Sequence, residues 1–80
     1  MKQLLSQLRR GDRGIIESIS PMDEELQKRL WELGFLEGTV IEVLFEAPLS
    51  RNPLAVKIGG SAVFAIGKEA ADAVWIQEFP

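Results

Sequence analysis

Cysteine, histidine and tyrosine are all missing from this chain of 80 residues. The lack of cysteine excludes disulfide staples and thiolate metal sites. The lack of histidine removes the commonest transition-metal ligand and the commonest general acid or base. Long apolar runs are also lacking. The longest is Ala62–Ile66, far short of the roughly 20 residues a membrane-spanning helix needs. Lys2 is not followed by the apolar stretch of a secretory signal. Positive charge is in deficit, with 9 basic against 12 acidic side chains and a net charge of −3. No overall basic field is available to hold nucleic acid.

What is present suits one small globular domain over residues 1–80, with a cytoplasmic location as the expectation. The hydrophobic share is 46%, enough for a core without staples. Charge is unevenly spread. Residues 1–36 balance, and the net negative charge lies in residues 37–80. Arg9, Arg10 and Arg13 form a local basic cluster interrupted by Asp12.

Leu4, Leu5 and Leu8 predict one or two helical turns ending at Gly11. The β-branched run Arg13–Ile19 predicts a strand. Ser20-Pro21-Met22-Asp23 predicts a helix start, with Ser20 as cap and Asp23 at the acidic position of a capping box. The helix is expected over Pro21–Leu33, with Leu26, Leu30 and Leu33 on one face and Gly34 as its stop. Glu24/Lys28 and Glu25/Arg29 are spaced as supporting ion pairs. Thr39–Glu46 predicts a strand with Ile41, Val43 and Phe45 on one face. A loop follows over Pro48–Pro53. Leu54–Ile58 and Ala62–Ile66 predict a hairpin about Gly59-Gly60. Gly67–Ala73 predicts a helical turn and Val74–Gln77 a last strand. About five short strands are best accommodated by closing into a small barrel, which removes most exposed edges. The expected fold is mainly β: a small SH3-like barrel with an α-helix inserted after the first strand and short helical turns.

The residues that carry a family likeness run along nearly the whole chain. They are Leu5-x-x-Leu8-x-x-Gly11, Ile15, and Arg29-Leu30-x-x-Leu33-Gly34-Phe35-x-x-Gly38-Thr39. Ala47-Pro48 with Pro53, Gly59-Gly60 and Glu69-Ala70 follow. This pattern resembles the FeoA family, small cytoplasmic accessory proteins of bacterial ferrous iron transport. The resemblance implies an SH3-like barrel that works by contact with FeoB, the membrane-embedded transporter with a cytoplasmic G-protein domain. The same module also forms the C-terminal domain of metal-responsive repressors of the diphtheria-toxin-repressor type. Met1 stands almost directly before the module and no helix-turn-helix is present, so the stand-alone form is expected. Two positions depart from the family pattern. Glu37 stands where proline is common, and Ala65-Ile66-Gly67 lacks a common arginine.

Partner contact is expected at Arg29, Trp31, Leu49 and Arg51. Each has a plainer alternative. Arg29 is placed to pair with Glu25. Trp31 lies about 130° from the leucine stripe at 100° per residue, so it marks either an interaction surface or packing under the N-terminal segment. Leu49 and Arg51 sit between prolines in a loop that is either presented to a partner or an ordinary connection. Trp75 suits core or barrel end. The arginine cluster suits a solvated face or an acidic partner, and Asp23/Glu24/Glu25 suit helix-start electrostatics.

No catalytic constellation is found. The Ser and Thr hydroxyls have no histidine to activate them, and no P-loop or dinucleotide fingerprint occurs. A metal ion would find carboxylates only, whereas ferrous sites favour imidazole or thiolate. No cofactor and no resident metal are expected. The leading expectation is therefore a non-enzymatic module that docks on the transporter and touches the membrane only through it. The alternatives are a stand-alone regulatory barrel of the repressor type, a small nucleic-acid-binding barrel, a polyproline-peptide binder, and self-association through apolar barrel surface.

Overall fold

The computed structural model describes residues 2–46 and 52–79. The order is β1 (Lys2–Leu4), a 3₁₀ turn (Leu5–Gln7), β2 (Arg13–Ile19), α1 (Glu24–Leu33), β3 (Val40–Glu46), β4 (Leu54–Ile58), β5 (Ala62–Ile66), α2 (Lys68–Ala71) and β6 (Val74–Glu78). The six strands form one antiparallel sheet in the order β1-β6-β2-β3-β4-β5. The fold is mainly β and SH3-like, but the sheet is not strictly closed. β1 and β5 remain its two edges. The loop expected over Pro48–Pro53 lies mostly outside the described residues, and with it Leu49 and Arg51.

The N-terminal segment corrects the expected helix. Lys2–Leu4 is a strand, because its backbone completes β6 in the register Gln3↔Ile76 and Leu4↔Trp75. Helical geometry survives as one 3₁₀ turn, begun where the Gln7 side chain accepts from the Leu4 N–H at 2.8 Å. Leu5 and Leu8 still reach the core and are fully buried.

Helix α1 starts later than expected. Ser20 stays tied to the α2–β6 junction, its N–H donating to the Ala73 carbonyl at 2.7 Å. Pro21 and Met22 then form a turn. Asp23 is the cap, its Oδ1 accepting from the Leu26 N–H at 3.1 Å. Asp23→Ala is expected to lower stability by about 1 kcal/mol, readable by urea titration. Helix α1 ends at Gly34, φ 104°, in a Schellman arrangement. The N–H groups of Phe35 and Gly34 donate to the carbonyls of Leu30 and Trp31, each at 3.0 Å. This turn sends Phe35 back under the helix. Phe35 is fully buried beside Phe64, with ring centroids 6.1 Å apart. Leu33, expected in the core, is 39% exposed, and Phe35 fills that role. Neither Glu24/Lys28 nor Glu25/Arg29 forms an ion pair among the described residues.

Two bulges reset the alternation of the strands. In β3 the register shifts between Val43 and Phe45, which pair with Val56 and Ala55. Leu44 is the extra residue, so Phe45 lands on the outer face and is 57% exposed instead of following Ile41 and Val43 inward. In β2 the register shifts between Ile16 and Ser18 against β6. Glu17 is the extra residue there, and the buried positions change from Gly14 and Ile16 to Ile19. The hairpin β4–β5 turns at Gly59 and Gly60, φ 62° and 90°, as expected. The core gathers Leu5, Leu8, Ile16, Leu30, Phe35, Ile41, Val43, Val56, Val74 and Ile76 with their neighbours. Among the described residues no polar or charged side chain is buried.

Asp72 closes α2 onto the N-terminal segment. A hydrogen bond from the Ser6 hydroxyl, then one from Lys68 (2.9 Å), holds its carboxyl below the ordinary value. A carboxyl lowered on folding adds stability above its unfolded value, and that contribution disappears as pH falls through the folded value. Asp72→Asn is therefore expected to be slightly less stable than the parent at neutral pH. The gap should close in acid, below the ordinary carboxylate range. The exposed position keeps the effect small. Denaturation curves across acidic pH check it.

Candidate functional site

With an apolar core, chemistry is confined to the surface, and helix α1 carries the most distinctive part of it. Trp31 is 48% exposed, far out of line with Leu30 beside it at 2%. Its neighbours form a groove of about 270 Å³ between α1 and β2, lined by Ile16, Glu17, Ser18, Ile19, Gln27, Trp31, Phe35 and Glu37. The groove exists because the two ladders of β2 end at different places. On the β3 side the backbone bonds end at Ile16, whose N–H donates to the Thr39 carbonyl at 2.9 Å and whose carbonyl accepts from the Gly38 N–H at 2.8 Å, whereas pairing with β6 continues to Ile19↔Val74. The Gln27 amide bridges the opening, its Nε2 donating to the Ile19 carbonyl at 3.0 Å. Glu17 meets Lys2 Nζ at 2.9 Å, and Lys2 also lies over the Trp75 ring, 5.4 Å from its centroid.

Arg29 is exposed and has no ion-pair partner among the described residues. Helix geometry separates it from Trp31, because residues two apart do not face each other. The two expected contacts therefore lie on opposite flanks of α1. The N-terminal arginines are also dispersed. Arg13 lies over the Phe79 ring at 5.5 Å, while the Asp12 carboxylate accepts from the Arg9 backbone N–H at 2.8 Å. Trp75 is half-buried in the sheet between Leu4 and Ser18. Sequence reasoning missed Glu17 and Gln27 as neighbours of Trp31. The four-residue spacing of Gln27 and Trp31 was an available signal; the β2 bulge left none.

Among the described residues no three acidic side chains gather as a metal cluster. No helix there is long and apolar enough to cross a membrane. An apolar core, an open groove and an SH3-like sheet define a small SH3-like domain whose distinctive chemistry lies on its surface. The FeoA domain family matches residues 3–78, and the chain belongs to that family, whose members are non-catalytic accessory proteins of ferrous iron transport.

Solved structures agree. The crystal structure of an iron uptake regulatory protein, FeoA, is 32% identical with a TM-score of 0.85, over 99% of this chain and 100% of that one. Zinc-complexed Stenotrophomonas maltophilia FeoA, described as an SH3 domain protein, is 27% identical with a TM-score of 0.83, over 94% and 89%. A manganese-dependent transcriptional repressor, 26% identical with a TM-score of 0.87, is covered over only 42% of its length by 98% of this chain. No curated protein sequence matches.

Proposed function

We propose that this chain is a non-enzymatic cytoplasmic accessory protein that docks, as one module over residues 1–80, on the cytoplasmic part of the ferrous iron transporter FeoB and assists or regulates iron uptake. It reaches the membrane only through that partner. The observation that carries the reading is the half-exposed Trp31 on a helix whose Leu30, flanked by Leu26, is spent on the core. Solvent-facing tryptophan is the side chain most often found at the energetic centre of protein contacts. Membership of a ferrous iron transport accessory family supports the transporter as the partner. Trp31 is the principal contact and Arg29, on the other flank, a secondary one. Leu49 and Arg51, outside the described residues, are further contacts. The chain serves iron movement without holding iron, a reading supported by its lack of cysteine and histidine and by carboxylates that do not cluster among the described residues.

Trp31→Ala is expected to weaken binding to the transporter's cytoplasmic domain by roughly tenfold or more, with the fold intact because the side chain is surface-borne. Titration of labelled protein with and without guanine nucleotide checks this. Absence of any signal at high micromolar partner overturns direct docking.

A second reading is favoured by one observation. The edge strand β5, Ala62–Ile66, carries no charge and leaves Val63 exposed, and such edges pair readily with a second strand. Weak self-association through β5 would appear in sedimentation as a concentration-dependent rise in mass.

A further inference from the structure

The groove beside Trp31 has a chemistry more specific than apolar contact. Its floor is the buried Ile16 and Phe35. Its rim supplies acceptors. Glu17 and Glu37 bring carboxylates, which accept and cannot donate when ionised. One of the two Gln27 amide N–H groups is spent on the Ile19 carbonyl at 3.0 Å, and its amide oxygen is a further acceptor. Glu37 has no ion-pair partner among the described residues. Glu17 gives one oxygen to Lys2 and keeps the other. The exposed indole of Trp31 lines the same groove.

An anion is repelled by two carboxylates, and an apolar ligand leaves the acceptors unsatisfied. A bare metal ion lacks a third carboxylate or other strong ligand among the described residues. A guanidinium answers every feature. It is planar and stacks on an indole, it has five donors and no acceptor, and it is always charged. An ammonium, compact and strongly hydrated, matches the rim less well. The net charge of −3 favours approach of a basic segment.

We propose that this groove receives an arginine side chain from a protein partner, its guanidinium lying on the Trp31 indole and donating to the carboxylates of Glu17 and Glu37. The proposal rests on Trp31 as the docking centre and names what the partner brings to it. An arginine entering here covers the edge of β2 beyond Ile16, the last residue bonded on the β3 side. It also places its own backbone beside α1, which turns a shallow contact into a directed one.

The test uses the full chain and capped tripeptides with a central arginine, citrulline or lysine, followed by NMR at millimolar peptide. The arginine peptide is expected to shift the Trp31 indole and the Gln27 and Glu37 amides. Citrulline, of the same shape but uncharged, should bind about fivefold more weakly, and lysine also more weakly. Trp31→Ala should abolish the shifts at Gln27 and Glu37, and Glu37→Gln should reduce affinity severalfold. Both residues are exposed, and unchanged spectra elsewhere verify the fold. Equal response to arginine and citrulline overturns the proposal, as does equal response to lysine. Arginine-induced shifts confined to other surfaces, or no shifts at all, also overturn it. Because no transporter is present, failure here leaves docking through Trp31 standing. Failure of the transporter titration leaves arginine capture standing.

Discussion

Phe35→Ala is expected to lower the stability of this protein by about 3–5 kcal/mol, a large part of the roughly 4–12 kcal/mol that an 80-residue protein has. The side chain is fully buried, packs with Phe64 and belongs to the main core. It is also the residue that the Gly34 turn delivers to the underside of α1. Its removal leaves a cavity at the join of helix and sheet, where the helix itself has only Leu30 fully buried. Urea denaturation followed by circular dichroism should show a much lower midpoint, or no folded baseline at all. A loss below about 1 kcal/mol would mean that the site collapses or that Phe35 is not central. Leu33→Ala is the matched control and is expected to cost far less, since Leu33 is well exposed.

The second large effect is expected at Gly14→Ala. Gly14 lies in β2 between Ile41 of β3 and Glu78 of β6. A Cβ added there would stand 2.4 Å from Ile76 Cγ2 and 2.7 Å from the Gln77 carbonyl oxygen. The first contact is a side chain locked in the core. The second is backbone and cannot rotate away. β2 and β6 must separate at the centre of the sheet, at a cost of about 3 kcal/mol, which lowers the melting temperature by about 15 °C. Gly67→Ala is the control. Its nearest neighbour would be 3.7 Å away and its φ is an ordinary −77°. Calorimetry of the two variants should separate them clearly, and equal stability would contradict the close approach of β2 to β6.

Much of this architecture was legible in the residues. Arg13–Ile19, Ala62–Ile66 and the Gly59-Gly60 hairpin stand where β-branched runs and paired glycines put them. The family likeness gave the SH3-like class. Three things were hidden, each for a physical reason. The segment from Leu4 is read as one or two helical turns because Leu4, Leu5 and Leu8 fit a helical period, whereas pairing with β6 makes Lys2–Leu4 a strand and leaves one turn over Leu5–Gln7. The places of Phe45 and Leu33 depend on a bulge and on a reversal after Gly34, which alter facing without altering composition. Barrel closure follows from edge avoidance as a tendency, yet β1 and β5 stay unpaired on their outer sides among the described residues. A glycine inside a β-branched run was a sign that Gly14 meets a neighbouring backbone.

The candidate site divides in the same way. The angle of Trp31 off the leucine stripe put it away from the core face, but left exposure and packing under the N-terminal segment as alternatives. The separation of Arg29 from Trp31 was readable too, because a helix puts residues two apart on different flanks. The groove was not. It depends on the β3-side bonds of β2 ending at Ile16 while the β6 ladder continues, and on Glu17 being the bulged residue. Glu37 was visible as a turn residue before Gly38 and as a departure from the family pattern. Its place on the groove rim beside Trp31 comes from the turn that follows Gly34.

Chemical-shift mapping of the labelled chain against the cytoplasmic domain of the ferrous iron transporter, with parent and Trp31→Ala compared, tests the docking function most directly. Shifts gathered on Gln27, Trp31, Glu37 and the end of β2, with roughly tenfold or greater weakening by Trp31→Ala, are expected. Binding that Trp31→Ala leaves unchanged, shifts gathered instead on β5, or no binding at high micromolar partner would contradict it.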